Sequence, residues 1–522
     1  MAGTPPRPWL GIAAVLFGAF ISTLTGRLST FGLADIRGAV HAGFDDGAWI
    51  TTAQTCGQML VTPIAIWAGG VYGPRHVLMY GAALFALAST LIPFSGSLEP
   101  LLMLQFLSGV GSGTFIPLTL PVVLRSLAPK YWAYGIVVYA LNLELSLNIS
   151  ASLEGWYIDH LSWHFIFWQS VPLALAMMAC LYFGLARNPL PRTPKRPDLF
   201  GVMTAAIGLA LIYAALDQGN RLDWFASGTI VGLLAAGGIL LLAAVAHVIH
   251  TPSDWFDPKG ALRWPLPVLL LMVLVLRLTI LSTAFLIPQF LISVRGYRSL
   301  EVGQALVWIA IPQLIAAPVA AVLLRRMDSR WTACTGLIAV GMACWIVSRT
   351  LTPEWGPHQF LPTQLLQALG QTLALSGVVF TSIQHMKPES ALTFGAMVQT
   401  ARLMGGEIGL AFTATLVRVR EQYASSRIGE HVVRGADSVA IRLEDYAALL
   451  TSRSGSTGGA RSYAMLAGAV RQAAELQSVI DGFLVIGLVA FAAVGAMLLL
   501  DRAPPSAASY RPFRFSFWRK LR

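Results

Sequence analysis

The sequence predicts an all-α polytopic membrane protein with fourteen transmembrane helices in a 6+2+6 arrangement. Of its 522 residues, 56% are hydrophobic and only 12% are charged, and its mean hydropathy is +0.65. Soluble domains carry a charge on about a quarter of their residues. Apolar runs of about 20 residues, long enough to cross a roughly 30 Å hydrocarbon layer, recur from end to end. We therefore expect lipid to surround most of the chain.

The apolar runs form three blocks. The six runs of the first block lie near residues 10–32, 48–68, 77–95, 100–122, 132–153 and 163–184. Two further runs follow a Pro- and Arg-rich linker at 186–200, and they cover 200–217 and 226–249. The runs of the third block lie near 266–291, 303–324, 332–350, 359–382, 391–417 and 482–500. Two six-span blocks around a central pair suggest an internal duplication.

These blocks define the predicted domains. They are an N-terminal six-helix half (1–185), a linker with two additional helices (186–265), a C-terminal six-helix half (266–500) and a basic tail (501–522). Arg and Lys concentrate in alternate loops, which is typical of cytoplasmic loops. We therefore expect a multi-pass protein of the inner, or cytoplasmic, membrane with both termini in the cytoplasm. A long outer loop at 418–481, with the flexible centre TSRSGSTGG, would then face the other side.

Composition and motifs argue against several other classes of protein. The net charge is +11, but the basic residues are scattered through short loops, so we expect no nucleic acid partner. The four cysteines lie inside apolar runs without metal-ligand spacing, so we expect no metal site; they are Cys56, Cys180, Cys334 and Cys344. No phosphate-binding GxxxxGK[ST] motif occurs. The sequence therefore predicts neither an enzyme nor a bound cofactor.

Four stretches carry a resemblance to a known family: WITTAQTCGQMLVTPIAIWAGGVYGPRHVL, QFLSGVGSGTFIPLTLPVVLR, LEGWYIDHLSWHFIFWQSVP and ARLMGGEIG. They resemble the major facilitator superfamily, and specifically its fourteen-span drug–proton antiporters of the EmrB/QacA type. The resemblance covers essentially the whole chain. It implies two six-helix halves that rock around a midplane site, and efflux of amphiphilic drugs driven by the proton gradient. It also implies a periplasmic adaptor and an outer-membrane channel as partners in a Gram-negative source.

The family's motifs are present in altered form. Gly73 and Arg75 remain in the loop after the second span, where they would control the conformational change, but Gly70 stands where the family usually has Asp. Thr25 stands at the acidic position of the first span. In the fifth span, the Gly-Pro pattern that accompanies antiport is replaced by SASLEG. Transport direction and proton coupling are therefore inferences from the family.

Ionisable residues inside predicted spans are costly and are functional candidates by default. The candidates for proton coupling or ion pairing are Glu144, Arg27, Glu154, Arg402 and Glu407. Glu144 lies mid-span, and we interpret it as a proton carrier, with a structural hydrogen bond or ion pair as the alternative. Arg27 could bridge toward Glu144 or Glu154, or extend to the outer interface. Arg402 and Glu407 lie roughly 140° apart around one helix, so they cannot simply pair.

Further polar residues predict a substrate cavity. They are Gln105, Asn148, Arg277, Gln289, Gln364, Gln367 and Gln371. The last three share one helix face, which suits a wet cavity, although hydrogen bonding between helices is the alternative. Three mid-membrane arginines favour anionic or weak-acid amphiphiles as substrates. A dedicated metabolite or siderophore exporter, an importer, and a non-transporting membrane sensor or scaffold are the alternative functions.

Overall fold

A computed structural model describes residues 7–185, 198–251, 255–387, 390–432, 437–454 and 459–501, and the secondary structure of these residues is helical. The first half contains ten helices. They are α1 (Pro8–Phe31), α2 (Leu33–Ala39), α3 (Phe44–Gly47), α4 (Trp49–Val71), α5 (Pro74–Leu91), α6 (Leu98–Ser112), α7 (Phe115–Ser126), α8 (Trp132–His160), α9 (Phe165–Trp168) and α10 (Ser170–Gly184). The predicted fourth span is thus two helices, α6 and α7, and the sixth is α9 followed by α10.

A hairpin of two long helices follows the first half. The helices of this segment are α11 (Leu199–Gly219), α12 (Gly228–His250) and the short α13 (Pro258–Ala261). Asp198 caps α11 by accepting a hydrogen bond from the Gly201 N–H at 2.9 Å. It also accepts from His247 of α12 at 2.8 Å and from the Trp255 indole at 3.0 Å, so one carboxylate ties both ends of the hairpin together. Most of the predicted linker, 186–197, lies outside the described residues.

The second half contains the remaining helices. They are α14 (Leu266–Thr279), α15 (Ile287–Ser293), α16 (Ser299–Arg326), α17 (Ser329–Thr350), α18 (Leu361–His385), α19 (Ala391–Glu430), α20 (Asp437–Ser454) and α21 (Gly459–Leu498). A five-residue π-helical turn, Ser282–Leu286, joins α14 to α15 within one span. Such turns leave part of the backbone ladder irregular and are frequent at functional sites.

The helices confirm an all-α membrane fold, but they do not confirm the predicted number of spans. Among the described residues, twelve helical segments are long and apolar enough to cross a membrane. The other two predicted spans coincide with α4 and α19, which are helices of 23 and 40 residues that fall outside those twelve. The total of fourteen spans therefore stays a prediction.

The described residues of the predicted outer loop at 418–481 are mainly helical, and its position on the outer side stays a prediction. Helices α19 and α21 each have 40 residues, about 60 Å at 1.5 Å per residue, and α20 lies between them in the chain. The segment is rich in Ala, Arg, Glu and Leu, which are strong helix formers. Arg420 of α19 pairs with Asp481 of α21 at 2.5 Å, which holds the two long helices together. Residues 455–458, within the predicted flexible centre, lie outside the described residues.

Two equivalent loops support the predicted duplication. Gly73 precedes α5 with a φ of +84°, a left-handed conformation that favours glycine. Arg75 then donates a hydrogen bond to the Tyr182 carbonyl at 3.1 Å, near the end of α10. In the second half, Arg330 near the start of α17 donates to the carbonyl of Leu500, just after α21. In each half, an arginine that follows the second span thus fastens the third helix to the last.

The two halves touch near both ends of the bundle. We call the end that carries the Arg- and Lys-rich loops the basic end. There, Tyr134 of α8 accepts a hydrogen bond from Arg325 of α16. Toward the opposite end, the Ser152 hydroxyl of α8 donates to the Gly303 carbonyl of α16 at 2.8 Å. Helices α8 and α16 therefore connect the two halves at both ends.

Candidate functional site

One carboxylate and two guanidinium groups meet in the interior of the bundle. Glu144 of α8 has no exposed surface, and neither of its carboxylate oxygens has a hydrogen-bond partner among the described residues. The charges of Arg277 on α14 and Arg402 on α19 act on it. Because α8 belongs to the first half and the two arginines to the second, this group spans the interface between the halves. We call Glu144, Arg277 and Arg402 the central charge cluster.

The members of the central charge cluster lie at one depth. Each is eleven or twelve residues from the start of its helix at the basic end, or about 17 Å at 1.5 Å per residue. This is near the middle of a roughly 30 Å hydrocarbon layer. The guanidinium of Arg277 lies against Gly406, where an added Cβ would be 3.7 Å from Nε, and this Nε has no partner. Arg402 donates from its Nε to Gln399 at 3.1 Å.

A set of buried amides lies one helical turn from Glu144. The Asn148 amide donates to Gln313 at 3.3 Å and to Gln371 at 3.5 Å, and Gln313 donates to Gln371 at 3.3 Å. Gln371 and Gln367 in turn donate to Thr283 and Ser282 of the π-helical turn, at 3.2 and 3.1 Å. We call Asn148, Gln313, Gln367 and Gln371 the amide cluster. It joins α8, α16 and α18, so both halves contribute to it.

Other predicted cavity residues lie elsewhere. Gln364 on α18 and Gln105 on α6 are fully buried, and neither amide group has a hydrogen-bond partner among the described residues. Gln289 is not part of the amide cluster. It lines a separate cavity of about 230 Å³ that is also bordered by Arg418, Glu421, Arg471 and Glu475.

The predicted bridge from Arg27 to a carboxylate is not formed. Arg27 donates from Nη2 to the Ala284 carbonyl in the π-helical turn at 3.3 Å, and its guanidinium lies 5.1 Å from the Phe31 ring centre. Glu154 lies instead against the end of α1, where an added Cβ on Gly32 would be 3.5 Å from its Cγ. Depth along a helix, from which we predicted the bridge, does not fix the direction around the helix. Arg27 therefore contacts the second half through backbone.

The structure confirms that Arg402 and Glu407 do not pair. Arg402 interacts with Arg277 and Glu144, whereas Glu407 accepts a hydrogen bond from the Tyr213 hydroxyl of α11 at 3.0 Å. The carboxyl groups of Glu407 and of Asp217 on α11 also act on each other. Glu407 therefore belongs to a second polar group, between α19 and the inserted hairpin.

Sequence reasoning missed Gln313 of the amide cluster, and Tyr213 and Asp217 of the polar group around Glu407. Gln313 lies in an apolar span beside Pro312, and its polarity alone was the signal that should have marked it. Asp217 stands at the edge of a predicted span, where a carboxylate is ordinarily solvated, and Tyr213 is a common residue in apolar runs. Only the packing of α11 against α4 and α19 gives the last two a buried polar role.

An apolar cavity of about 660 Å³ lies between the hairpin and helices of the two halves. Thr62 and Pro63 of α4, Leu209 of α11, Val245 of α12, Leu274 of α14 and Met397 of α19 are among the residues that line it. Met397 precedes Arg402 by five residues on α19. Two of the helices that carry the central charge cluster, α14 and α19, therefore line this cavity.

Two helical halves that close around a mid-membrane charge cluster define a secondary transporter. The chain belongs to the Major Facilitator Superfamily, whose family model matches residues 15–410. It is a multi-pass membrane protein of a family that carries small molecules across the lipid bilayer and whose members are not enzymes. This confirms the predicted family and fold class.

The resemblance extends to named relatives. The chain is 21% identical to the multidrug export protein EmrB of Haemophilus influenzae, over 80% of this chain and 82% of that protein. It is 23% identical to the tetracenomycin C resistance and export protein of Streptomyces glaucescens, over 96% and 92%. Among solved structures, the human organic anion transporter MFSD10 (TETRAN) matches with a TM-score of 0.55 and 13% identity, over 93% of this chain and 100% of that chain. That match supports the fold.

Proposed function

We propose that this protein exports amphiphilic weak acids by alternating access, in exchange for protons. The observation that carries the proposal is Glu144, a fully buried carboxylate that has no hydrogen-bond partner in the described part of the chain and is acted on by two guanidinium groups of the other half. A charge buried in a low-dielectric interior is strongly disfavoured unless a partner or a proton neutralises it. The name of the EmrB relative, a multidrug export protein, agrees with this direction of transport.

Competition for the Glu144 carboxylate provides the coupling. In the state open to the basic end, Glu144 releases its proton to that side. The un-ionised acid takes the proton's place by donating a hydrogen bond to the Glu144 carboxylate. Arg277 and Arg402 then stabilise whichever oxygen carries the negative charge. In the state open to the opposite end, an incoming proton binds Glu144 and displaces the substrate. One proton enters for each acid molecule that leaves, so the net result is export of the acid's anion.

The surroundings of Glu144 suit an acidic and amphiphilic molecule. With all three groups ionised, the central charge cluster carries one net positive charge, which favours an acidic group and disfavours a cation. The amide cluster supplies neutral donors and acceptors one turn away. The apolar cavity beside the hairpin gives a greasy molecule a route from the membrane toward α19. Apolar walls with a few polar groups bind many compounds rather than one.

The basic loops set the proposed orientation. The basic end faces the cytoplasm, and both ends of the chain lie on that side of the cytoplasmic membrane. Helices α19 and α21 then extend about 30 Å beyond a hydrocarbon layer of roughly 30 Å, on the outer side. This projection is the surface we assign to a periplasmic adaptor, which would in turn connect to an outer-membrane channel. Co-purification with and without α20 would test that assignment.

Transport by proteoliposomes tests the function. We expect a pH gradient and membrane potential to drive transport of weak-acid amphiphiles, an uncoupler to abolish it, and matched cationic analogues to be transported poorly. Glu144→Gln should lose the gradient-driven transport. Glu99→Gln, which changes an exposed carboxylate at the start of α6, is the control and should retain it. Gradient-driven transport that survives Glu144→Gln would refute the assignment of Glu144, and preference for cations would refute the substrate class.

A further inference from the structure

A second pair of carboxyl groups lies between the inserted hairpin and the two halves. Asp217 lies one turn after Tyr213 on α11, and Tyr213 donates to Glu407 of α19, so the two carboxyl groups lie close enough to act on each other. Glu407 is only 7% exposed. On its other side, Asp217 accepts hydrogen bonds at Oδ2 from Thr52 of α4 and from Gln218 at 3.0 Å. Glu407 accepts at Oε2 from Tyr213 at 3.0 Å.

The pair connects both halves through α11. Thr52, which holds Asp217, belongs to the first half, and Glu407 belongs to the second. Two further hydrogen bonds fix α11 to α19 nearby: the Asn220 amide donates to the Ala411 carbonyl at 3.0 Å and accepts from Thr415 at 2.6 Å. Rocking of the halves must therefore change the geometry at the Asp217–Glu407 contact.

The charged and titratable groups around the pair do not neutralise it. Arg221, two residues after the end of α11, acts on Asp217, but its guanidinium donates to Asp45 of α3 at 2.9 Å and to Gln218 at 2.7 Å. Cys56 of α4 and Tyr213 of α11 also face the pair, and neither is a cation. Of these neighbours only Arg221 is a cation, and it is paired with Asp45, so a proton on one of the two carboxyl groups would relieve their mutual repulsion.

In depth, the pair lies between the central charge cluster and the end of the bundle opposite the basic end. Measured from the basic end along their helices, Tyr213, Glu407 and Asp217 lie roughly 21, 24 and 27 Å deep, and the central charge cluster lies at about 17 Å. Tyr213 is acted on by Arg277 and Arg402 and donates to Glu407. Tyr213 thus stands between the two polar groups.

We propose that Asp217 and Glu407 share one proton and form a second proton-binding site, loaded from the end of the bundle opposite the basic end. The inserted hairpin is then a coupling element rather than a spacer. Loss of the shared proton leaves two neighbouring carboxylates that repel each other. This repulsion separates α19 from α11 and so opens the contact between the halves. This role in coupling rests on the proposed transport function, but the shared proton itself does not.

Infrared titration of the purified protein tests the shared proton without any substrate. Un-ionised carboxyl groups absorb apart from carboxylates, so each protonated side chain is visible. We expect the wild type to show a carboxylic acid signal at neutral pH that Asp217→Asn/Glu407→Gln lacks. Each single variant should lose its signal at a pH lower by about one unit or more, because the neighbouring negative charge is gone. Glu144→Gln should keep the signal of the pair, as should the surface control Glu99→Gln.

Two outcomes overturn the proposal. One is a double variant whose infrared titration equals that of the wild type, and the other is a pair that is fully ionised at neutral pH in the wild type. Tyr213→Phe is the control for misfolding of the variants. It leaves both carboxyl groups in place and should retain the shared-proton signal. If Glu144→Gln transports normally, the proposed function fails while the infrared result for the pair still stands.

Discussion

Two glycines at opposite ends of the interface between the halves allow the contact at either end to be loosened selectively. A Cβ added to Gly395 of α19 would lie 2.4 Å from the Pro117 carbonyl of α7, toward the basic end. A Cβ added to Gly303 of α16 would lie 2.7 Å from Ser152 Cα of α8, toward the opposite end. Ordinary contacts begin near 3.4 Å, so the backbones must separate by about 1.0 and 0.7 Å, respectively.

The cost of each alanine applies only while that end is closed. Overpacking of this kind costs about 1–3 kcal/mol, and opening an end separates the helices that would clash. The population open at the affected end should therefore rise by about 5- to 150-fold. Gly395→Ala should favour the state open at the basic end, and Gly303→Ala the state open at the opposite end.

Distance distributions between spin labels measure this shift. With the four native cysteines replaced, labels at Lys130 and Met327 report on the basic end, and labels at Leu161 and Arg295 on the opposite end. Each alanine should lengthen only the distance at its own end. Gly495→Ala, where nothing lies within 4 Å of the added Cβ, is the control. Unchanged distances, or lengthening at the wrong end, would refute the assignment of these contacts as gates.

Three further predictions follow from the site and from the hairpin. Arg277→Gln should weaken binding of weak-acid substrates about tenfold or more, because a charge-assisted hydrogen bond is lost, and should leave neutral analogues unaffected in equilibrium binding. Gln371→Leu should destabilise the protein by about 1–3 kcal/mol in thermal unfolding, because it removes the acceptor of two buried donors, whereas Gln289→Leu should be nearly neutral. Although burial opposes it, hydrogen bonds from Gly201 and Trp255 and the nearby His247 hold the pKa of Asp198 below its usual value. Asp198→Ala should therefore cost about 1 kcal/mol at neutral pH, and wild type and variant should converge as the pH falls through that lowered pKa.

Hydropathy and the cost of buried charge made much of this protein predictable. Each predicted apolar run coincides with a described helix, because a membrane span must be both apolar and internally hydrogen-bonded. Glu144, Arg277 and Arg402 were recognisable one by one for the same reason, since each interrupts a long apolar run. That they meet at one depth is a property of three helices from two halves, and only the structure shows it.

The errors arose where lipid does not dictate the sequence. Residues 418–481 do not form an apolar run, so hydropathy did not mark their helices, which contacts between α19 and α21 help to stabilise. Asp217 at the end of a span looked solvated, yet α4 and α19 enclose it. Arg27 was placed correctly along its helix, but its direction depends on the π-helical turn of a span more than 250 residues away.

In the proposed mechanism, Glu144 couples movement of the substrate to movement of a proton. The most direct test of this coupling compares two transport modes of Glu144→Gln in the same vesicles: exchange of labelled for unlabelled substrate at equal concentrations, and net movement driven by the proton gradient. The amide can still accept a hydrogen bond from the acid but cannot release a proton. We predict that exchange continues while net movement stops. Net movement that persists at the wild-type ratio to exchange would contradict the mechanism.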